Sequence, residues 1–374
     1  MRTELVNRLE DLQPLKPRWN ELALSDPRDG FFRTFECYEA WLRHVRPDAE
    51  PFVVVVRDEA GGIAGLAPLC RMTYRDHGFR LKSVSSVGRE VVSGDFLDYL
   101  STPNQRQATL DSVMSFLWEA KAEWDILVAG EMLEGGDLEL AVELLAGKQG
   151  LALRRQEERV CPFVELPANF ESYLAGISSN MRWKIRHNTR ELEKCGARVL
   201  VHSDPAKLAS NLDTLIQLHL AHWQHIGEPG TLGRPGFREF LMEVCTTPPP
   251  GAATRLYILE YEEKPAAALL AFWFGESALF YQTGWDPHSA VVRMTPGLVL
   301  VAQSIRDAIE GGRRYFDFLR GDESYKCRFT KSSRKTVTLL VARSLLAKQY
   351  LGMAQLKDSV KRLISGSGMA EPVA

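Results

Sequence analysis

The chain reads as an α/β protein with mixed β-sheets flanked by helices, built as two tandem domains. Two patterns predict this. A β-α-β crossover is written into residues 279–319, and the order hairpin, strand, helix, strand occurs once in each half. The duplication rests on element order and not on residue identity, and it places domains at 1–165 and 166–343, followed by a basic amphipathic helix and tail at 344–374. Size agrees, since 374 residues with 45% hydrophobic and 25% charged content suffice for two cores.

In the first half, Phe52 to Arg57 and Ile63 to Met72 are strand-like runs around Asp58-Glu59-Ala60-Gly61-Gly62, a hairpin signal. A strand near Phe96 to Leu100 follows. Next come a helix from about Gln105 to Ala122, with Leu110, Val113 and Leu117 on one face, and a strand at Ile126-Leu127-Val128. In the second half, Arg255 to Tyr261 and Ala266 to Phe274 flank the turn Glu262-Glu263-Lys264-Pro265, and Leu279 to Thr283 is the next strand. Thr295-Pro296-Gly297 supplies an N-cap and a first-turn proline, and Leu298 to Glu310 carries apolar residues at helical spacing before Gly311-Gly312. Tyr315 to Leu319 then returns as a strand parallel to the one at 279–283.

A helix that starts beside a sheet presents unpaired N–H groups and a positive dipole end. Thr295, Pro296 and Gly297, with Arg293 just before them, are therefore the candidate cofactor-phosphate site. The first half offers only Ser101-Thr102-Pro103-Asn104, with no nearby Gly or Arg, so the donor site is expected in the second half.

The run Phe316-Asp317-Phe318-Leu319-Arg320-Gly321-Asp322-Glu323-Ser324-Tyr325-Lys326 after such a crossover resembles the CelD/BcsL-like acyltransferases of the GNAT superfamily, relatives of the Fem aminoacyl transferases. The resemblance extends to Phe31-Phe32-Arg33-Thr34-Phe35-Glu36 with Trp41, and to the basic helix around Arg182 to Arg190. It implies two GNAT-like domains and an N-acyltransferase that moves an acyl group from a CoA thioester, its co-substrate, to an amine by direct attack. In GNAT-like enzymes the pantetheine arm lies where the strands on either side of the crossover helix splay apart. Here that implies Phe280 to Thr283, including Tyr281, and Tyr315 to Leu319. The superfamily includes bacterial N-acyltransferases of sphingolipid synthesis, so the implied acceptors include a lipid amine as well as an envelope or polysaccharide precursor. Two other readings stay open. One is a Fem-like transferase fed by aminoacyl-tRNA, although the chain lacks an obvious coiled-coil insertion; the other is a non-catalytic partner in exopolysaccharide synthesis.

Asp204 caps a helix over Pro205 to Ile226, on which Leu208, Leu212, Leu215, His219 and Trp223 recur at spacings of three or four. Burial lowers the pKa of an imidazole and keeps it neutral, which suits His219 as a base for an ammonium substrate beside Trp223; a satisfied core histidine fits the same pattern. Of His219, His222 and His225 the outer pair lies too far round the helix to share a metal easily, and none is expected. The turn after the last parallel strand makes Asp322, Tyr325 and Lys326 candidates, since ligands gather beyond the carboxyl ends of such strands. Tyr325 would return a proton to the thiolate, Lys326 would pair with a phosphate or with Asp322, and Asp322 would face the acceptor. Asp95 and Asp98 are the acidic pair available to bind or deprotonate an amine, although strand alternation would put them on opposite faces. Arg182 and Arg186 belong to a stripe with Arg190 that suits an anionic substrate, and equally suits a solvated helix face.

A formal net charge of −2 gives no basic excess that would point to DNA. Met1 to Glu10 lack the apolar core of a signal peptide and no run is long enough to span a bilayer, so the expected location is cytoplasmic. Cys37, Cys70, Cys161, Cys195, Cys245 and Cys327 are scattered, with neither zinc nor redox spacing. The helix from Leu345 to Ile364 pairs an apolar stripe (Leu346, Tyr350, Met353, Leu356) with Lys348, Lys357, Lys361 and Arg362, a pattern that suits either packing on the domain or peripheral contact with the inner face of a membrane.

Overall fold

A computed structural model of the protein describes residues 1–366 apart from Pro27, residues 89–93, Pro229 and Asp322, with the backbone alone for 157, 158 and 358–366. Its first half holds β1 (Arg2–Val6), α1 (Lys16–Leu24), α2 (Phe35–Ala40), β2 (Glu50–Arg57), β3 (Ile63–Asp76), β4 (Phe79–Ser86), β5 (Leu100–Ser101), α3 (Arg106–Glu119), β6 (Ile126–Leu133), α4 (Asp137–Lys148) and β7 (Ala152–Glu165). The second holds α5 (Phe170–Gly176), α6 (Ser179–Lys194), β8 (Arg198–His202), α7 (Pro205–His225), α8 (Phe237–Thr246), β9 (Ala252–Tyr261), β10 (Lys264–Phe274), β11 (Ser277–Trp285), α9 (Pro296–Glu310), β12 (Tyr315–Asp317), β13 (Ser333–Ala342) and α10 (Leu345–Gly366).

The duplicated order is present in space. In the first half β2, β3 and β4 pair antiparallel, and α3 carries the chain across to β6, which lies parallel to β4. In the second, β9, β10 and β11 pair antiparallel, and α9 carries it to β12, parallel to β11. Each half is thus a mixed sheet flanked by helices, as the α/β reading expects.

The first crossover uses a different strand from the one expected. Residues 96–99 are not a strand, and Leu100–Ser101 forms only a short bridge to β3. Phe96 adopts φ +57, a left-handed conformation that a strand cannot contain. The parallel partner of β6 in this crossover is β4, whose sequence Phe79 to Ser86 carries serines and charges that conceal it.

The halves are woven into one 13-stranded sheet with central order β6-β13-β7-β12. The last strand, β13, returns to the first half and pairs antiparallel with both β6 and β7. β7 then uses Phe163, Val164 and Glu165 to pair with β12. Strand alternation divides the core between the two faces. On one face Val53 and Val55 of β2 share a cluster with Ala268, Leu270 and Phe272 of β10, covered by α1, α2, α7 and α8. On the other, Val54 and Val56 meet α3 and α4, while Leu269, Ala271 and Trp273 meet α5, α6 and α9. Phe31 stacks on Phe272 with centroids 4.4 Å apart, so the Phe31-Phe32 segment plugs the shared core of the two halves.

Candidate active site

β11 and β12 are in register from Ser277↔Tyr315 to Leu279↔Asp317. β12 ends there, while β11 runs on to Trp285, so a gap opens beside it. At the same point β10 pairs Leu270 with Gln282 and Ala271 with Phe280, which makes Tyr281 the extra residue of a β-bulge. A bulge frees a main-chain group from the ladder and redirects the strand, a device common beside active sites. The Tyr281 side chain turns the other way, into the shared core against Phe32 and Phe272. Any contact of Tyr281 with a ligand in the gap therefore runs through its backbone.

The gap leads into a mostly apolar slot of about 270 Å³ lined by Met181, Thr283, Trp285, the first turn of α9 and, from the loop after β12, Tyr325, Arg328 and Phe329. Thr295, Pro296 and Gly297 all line it; Pro296 has no N–H and the Leu298 and Val299 N–H groups donate to the Thr295 carbonyl at 3.0 and 3.3 Å, so the first turn of α9 offers the slot the Gly297 N–H. Thr295 occupies the N-cap position in an unexpected way: its backbone is left-handed at φ 46 and ψ 62, and its hydroxyl makes no cap bond. Instead Asn188 Nδ2 of α6 donates to Thr295 Oγ1 at 2.8 Å. A β-branched residue is costly in this conformation, so the turn stores strain where the slot meets the helix. A Cβ at Gly297 would meet only Trp285, at 3.7 Å, which leaves the approach to the backbone open. Arg293 is exposed on the single turn before α9.

The loop after β12 is closed by its own side chains. Lys326 is buried, with Nζ 2.8 Å from the Arg320 carbonyl and 2.9 Å from Glu323, so its charge is spent on the loop. Gly321 sits at φ +125, and a Cβ there would collide with Glu323 and with Lys326 Nζ. Tyr325 is half-buried in the slot wall, and burial pushes its phenol above the ordinary range, keeping it a proton donor. Asp322 lies outside the described residues.

His219 stands behind the slot, not in it. α7 starts as expected, with Asp204 accepting from the Ala206 and Lys207 N–H groups, and packs so flush on β11 that a Cβ at Gly284 would lie 2.2 Å from His219 N. His219 Nδ1 is 2.9 Å from the carbonyl of Thr283, a residue that does line the slot. A carbonyl can only accept, so Nδ1 carries the proton, and Nε2 is buried without a hydrogen-bond partner among the described residues. Burial lowers the pKa to about 4, reinforced by the nearby His222 charge and opposed by the Thr283 bond. His222 packs on Trp285 with ring centroids 3.5 Å apart, and Trp223 lies 5.8 Å from His219 by the same measure. These rings stiffen the back wall.

The remaining candidates lie elsewhere. Asp98 accepts 2.7 Å bonds from Arg106 Nη2 at both oxygens, in a separate cleft of the first half that Arg33 and Asp26 also line. Asp95 is fully buried and bound by Arg320, which also meets Glu131 at 3.0 Å. Arg182 and Arg186, with Arg190, border a surface hollow of about 450 Å³ on α6 around Trp183, which is 59% exposed and stacked on His187. Arg186 pairs with Glu171, while Arg182 Nε is buried with no hydrogen-bond partner among the described residues. The inner face of the same helix brings Met181 and Asn188 to the slot and the α9 turn.

An open cleft of about 930 Å³ shares Met181, Arg328 and Phe329 with the slot, and reaches Tyr173, Ser178, Lys184 and Lys331. Met181, Trp285, Arg328 and Phe329 escaped the sequence reading. A lone Met or Phe reads as core, and only the strand splay shows that these line a cavity.

Residues 179–327, from α6 to the loop after β12, match the family model described as acetyltransferase (GNAT) domain. The match falls within the second half of the chain and takes in the crossover from β11 through α9 to β12. That domain makes the chain a transferase, and its matched span contains every slot residue except Arg328 and Phe329. A comparison with curated proteins finds no match. Among solved structures, the fold is similar to the crystal structure of FemX, with TM-score 0.61 and 10% identity over 91% of this chain and 97% of that one. It is also similar to the C-terminal DUF2156 domain of a putative lysylphosphatidylglycerol synthetase from Agrobacterium fabrum, with TM-score 0.53 and 12% identity over 91% and 97%. A third likeness is to L-PGS from Bacillus licheniformis, with TM-score 0.50 and 14% identity over 90% and 95%. At such identities the likeness is one of fold.

Proposed function

We propose that the chain is an N-acyltransferase that takes its acyl group from a CoA thioester and passes it to an amine, in the manner of the CelD/BcsL-like enzymes it resembles. The observation that carries this reading is the apolar slot beside the end of β11, beyond the point where β12 stops, with the first turn of α9 in its wall. A pantetheine arm is slender and largely apolar, and the phosphates at its far end suit the Gly297 N–H at the positive end of α9 and the exposed Arg293. The acceptor would occupy the open cleft across Met181 and Phe329. The amine nitrogen attacks the thioester carbon, and a main-chain N–H freed by the bulge at Tyr281 stabilises the oxyanion. The carbon–sulfur bond then breaks, the Tyr325 hydroxyl gives its proton to the thiolate, and the proton shed by the acylated nitrogen passes through solvent in the open cleft and restores the phenol. His219 reaches the slot only through Thr283, so its part is to position the β11 wall and keep it neutral.

One observation favours a second donor. α6 carries Arg182, Arg186 and Arg190 beside an exposed Trp183, a face suited to a nucleic-acid end, and the similar folds include FemX and lysylphosphatidylglycerol synthetase domains. An aminoacyl-tRNA would then replace the thioester. Incubation with acetyl-CoA or palmitoyl-CoA and a panel of polar and long-chain amines, followed by detection of free thiol, distinguishes the two. Amine-dependent thiol release supports the thioester reading; transfer from aminoacyl-tRNA with no thiol release would replace it.

A further inference from the structure

We infer that α10 is a docking face for an anionic lipid surface, an inference that stands apart from the donor reading. Among its described side chains, the helix is anchored by one side only. Ala347, Tyr350, Leu351 and Ala354 are buried against Tyr74, Leu81, Val128 and Leu340, and the Tyr350 hydroxyl donates to Asp76 at 2.7 Å. The opposite side is apolar as well. Leu345 is 74% exposed, Leu346 45%, Met353 40% and Leu356 68%, so this helix holds four of the eleven exposed large hydrophobics among the described residues.

Helical geometry turns those four into a stripe. At about 100° per residue, Leu345, Leu356, Met353 and Leu346 fall within roughly a 100° arc, facing away from the arc of Ala347, Tyr350, Leu351 and Ala354. Scattered single apolar residues on a surface need no explanation, but four on one arc of a helix, broken there by Gln349, do. A helix that merely packs on its domain has no use for this second apolar side.

Charge decides the occupant. Lys348 and Lys357 are exposed beside the stripe, and the sequence of the helix contains Lys348, Lys357, Lys361 and Arg362 against Asp358 alone, a net +3 on a chain of net −2. Two copies meeting through this face would bring like charges together, whereas an anionic bilayer surface accepts both the leucines and the lysines. No helix among the described residues is long and apolar enough to cross a membrane, so the contact is one of lying on the surface.

Sedimentation of the full chain with vesicles tests this directly. Vesicles of phosphatidylcholine with phosphatidylglycerol should pellet about tenfold more protein than phosphatidylcholine alone, with the difference falling as salt rises. Lys348→Glu and Lys357→Glu should each weaken binding about fivefold or more, and Met353→Glu with Leu356→Glu should abolish it, while their exposure keeps the melting temperature unchanged. Equal pelleting with and without anionic lipid, or unchanged binding by the Met353→Glu, Leu356→Glu variant, overturns the inference. So does a dimer in solution that this variant dissolves while no vesicle binding is found.

Discussion

Arg320 and Asp95 join the two halves through a buried pair: Nε meets Oδ1 at 2.5 Å and the Arg320 backbone N–H meets Oδ2 at 2.8 Å. Asp95 comes from the segment after β4 and Arg320 from the loop after β12, which also forms one wall of the slot. Beside it Arg334 is held by Asp29 and Asp317, each at 2.7 Å, with its guanidinium 3.7 Å from the Phe96 ring centroid. The slot is thus braced by charges supplied from the other half.

Removing one partner of a buried pair leaves the other uncompensated, at a cost of about 3 kcal/mol. Asp95→Asn should therefore lower unfolding stability by about that amount in urea titrations. A change below about 0.5 kcal/mol, as expected of a surface site, would show that the pair does not brace the structure.

His219 predicts a pH signature. Its folded pKa of about 4 lies below the ordinary value of 6.5, so the unfolded chain takes up the proton first as pH falls. The stability associated with a neutral His219 is complete above pH 6.5 and is lost as pH drops from 6.5 towards 4. His219→Gln removes this titration, so the stability difference between wild type and variant should shrink by on the order of 3 kcal/mol across that window. A difference independent of pH would show that His219 does not stay neutral in the fold.

Thr295 offers a test by opposite signs. Thr295→Gly relieves the left-handed strain and should be neutral or stabilising by up to about 1 kcal/mol, although it loses the Asn188 bond. Asn188→Ala loses the same bond and keeps the strain, so it should destabilise by about 1 kcal/mol. Thermal unfolding of both variants checks this, and destabilisation by Thr295→Gly would deny the strain.

Much of this architecture was legible in the residues. The crossover from β11 through α9 to β12, both long hairpins and the cap at Asp204 carry strong local signals, whereas Thr295 holds the N-cap position without a cap bond. β7 does not: Ala152 to Glu165 is rich in Arg and Glu because it sits between β13 and β12, where pairing in the sheet matters more than apolar content. β4 was hidden for a similar reason, and Asp95-Phe96 looked like strand when both residues serve the joint between halves. Of the site, the α9 turn and Tyr325 were visible, whereas Met181, Trp285, Arg328 and Phe329 become site residues only once β11 and β12 part. Lys326, expected to pair with a phosphate or with Asp322, bonds the Arg320 carbonyl and Glu323, a pairing that depends on the fold of a loop.

Gly297 gives the placement of the donor. A side chain there starts 3.7 Å from Trp285 and would grow into the slot, so Gly297→Phe should weaken thioester binding at least about tenfold with little change in stability. Calorimetric titration with acetyl-CoA reads this, and wild-type affinity in the variant would move the donor away from α9.

The most direct measurement is the melting temperature of the purified chain with CoA, acetyl-CoA or palmitoyl-CoA, since a ligand that binds only the folded state must stabilise it, by about 2.7 kcal/mol at a hundred times its Kd. The slot beside the end of β11 predicts a clear rise with the thioesters that Gly297→Phe abolishes. No rise with any of the three would contradict a CoA-dependent enzyme.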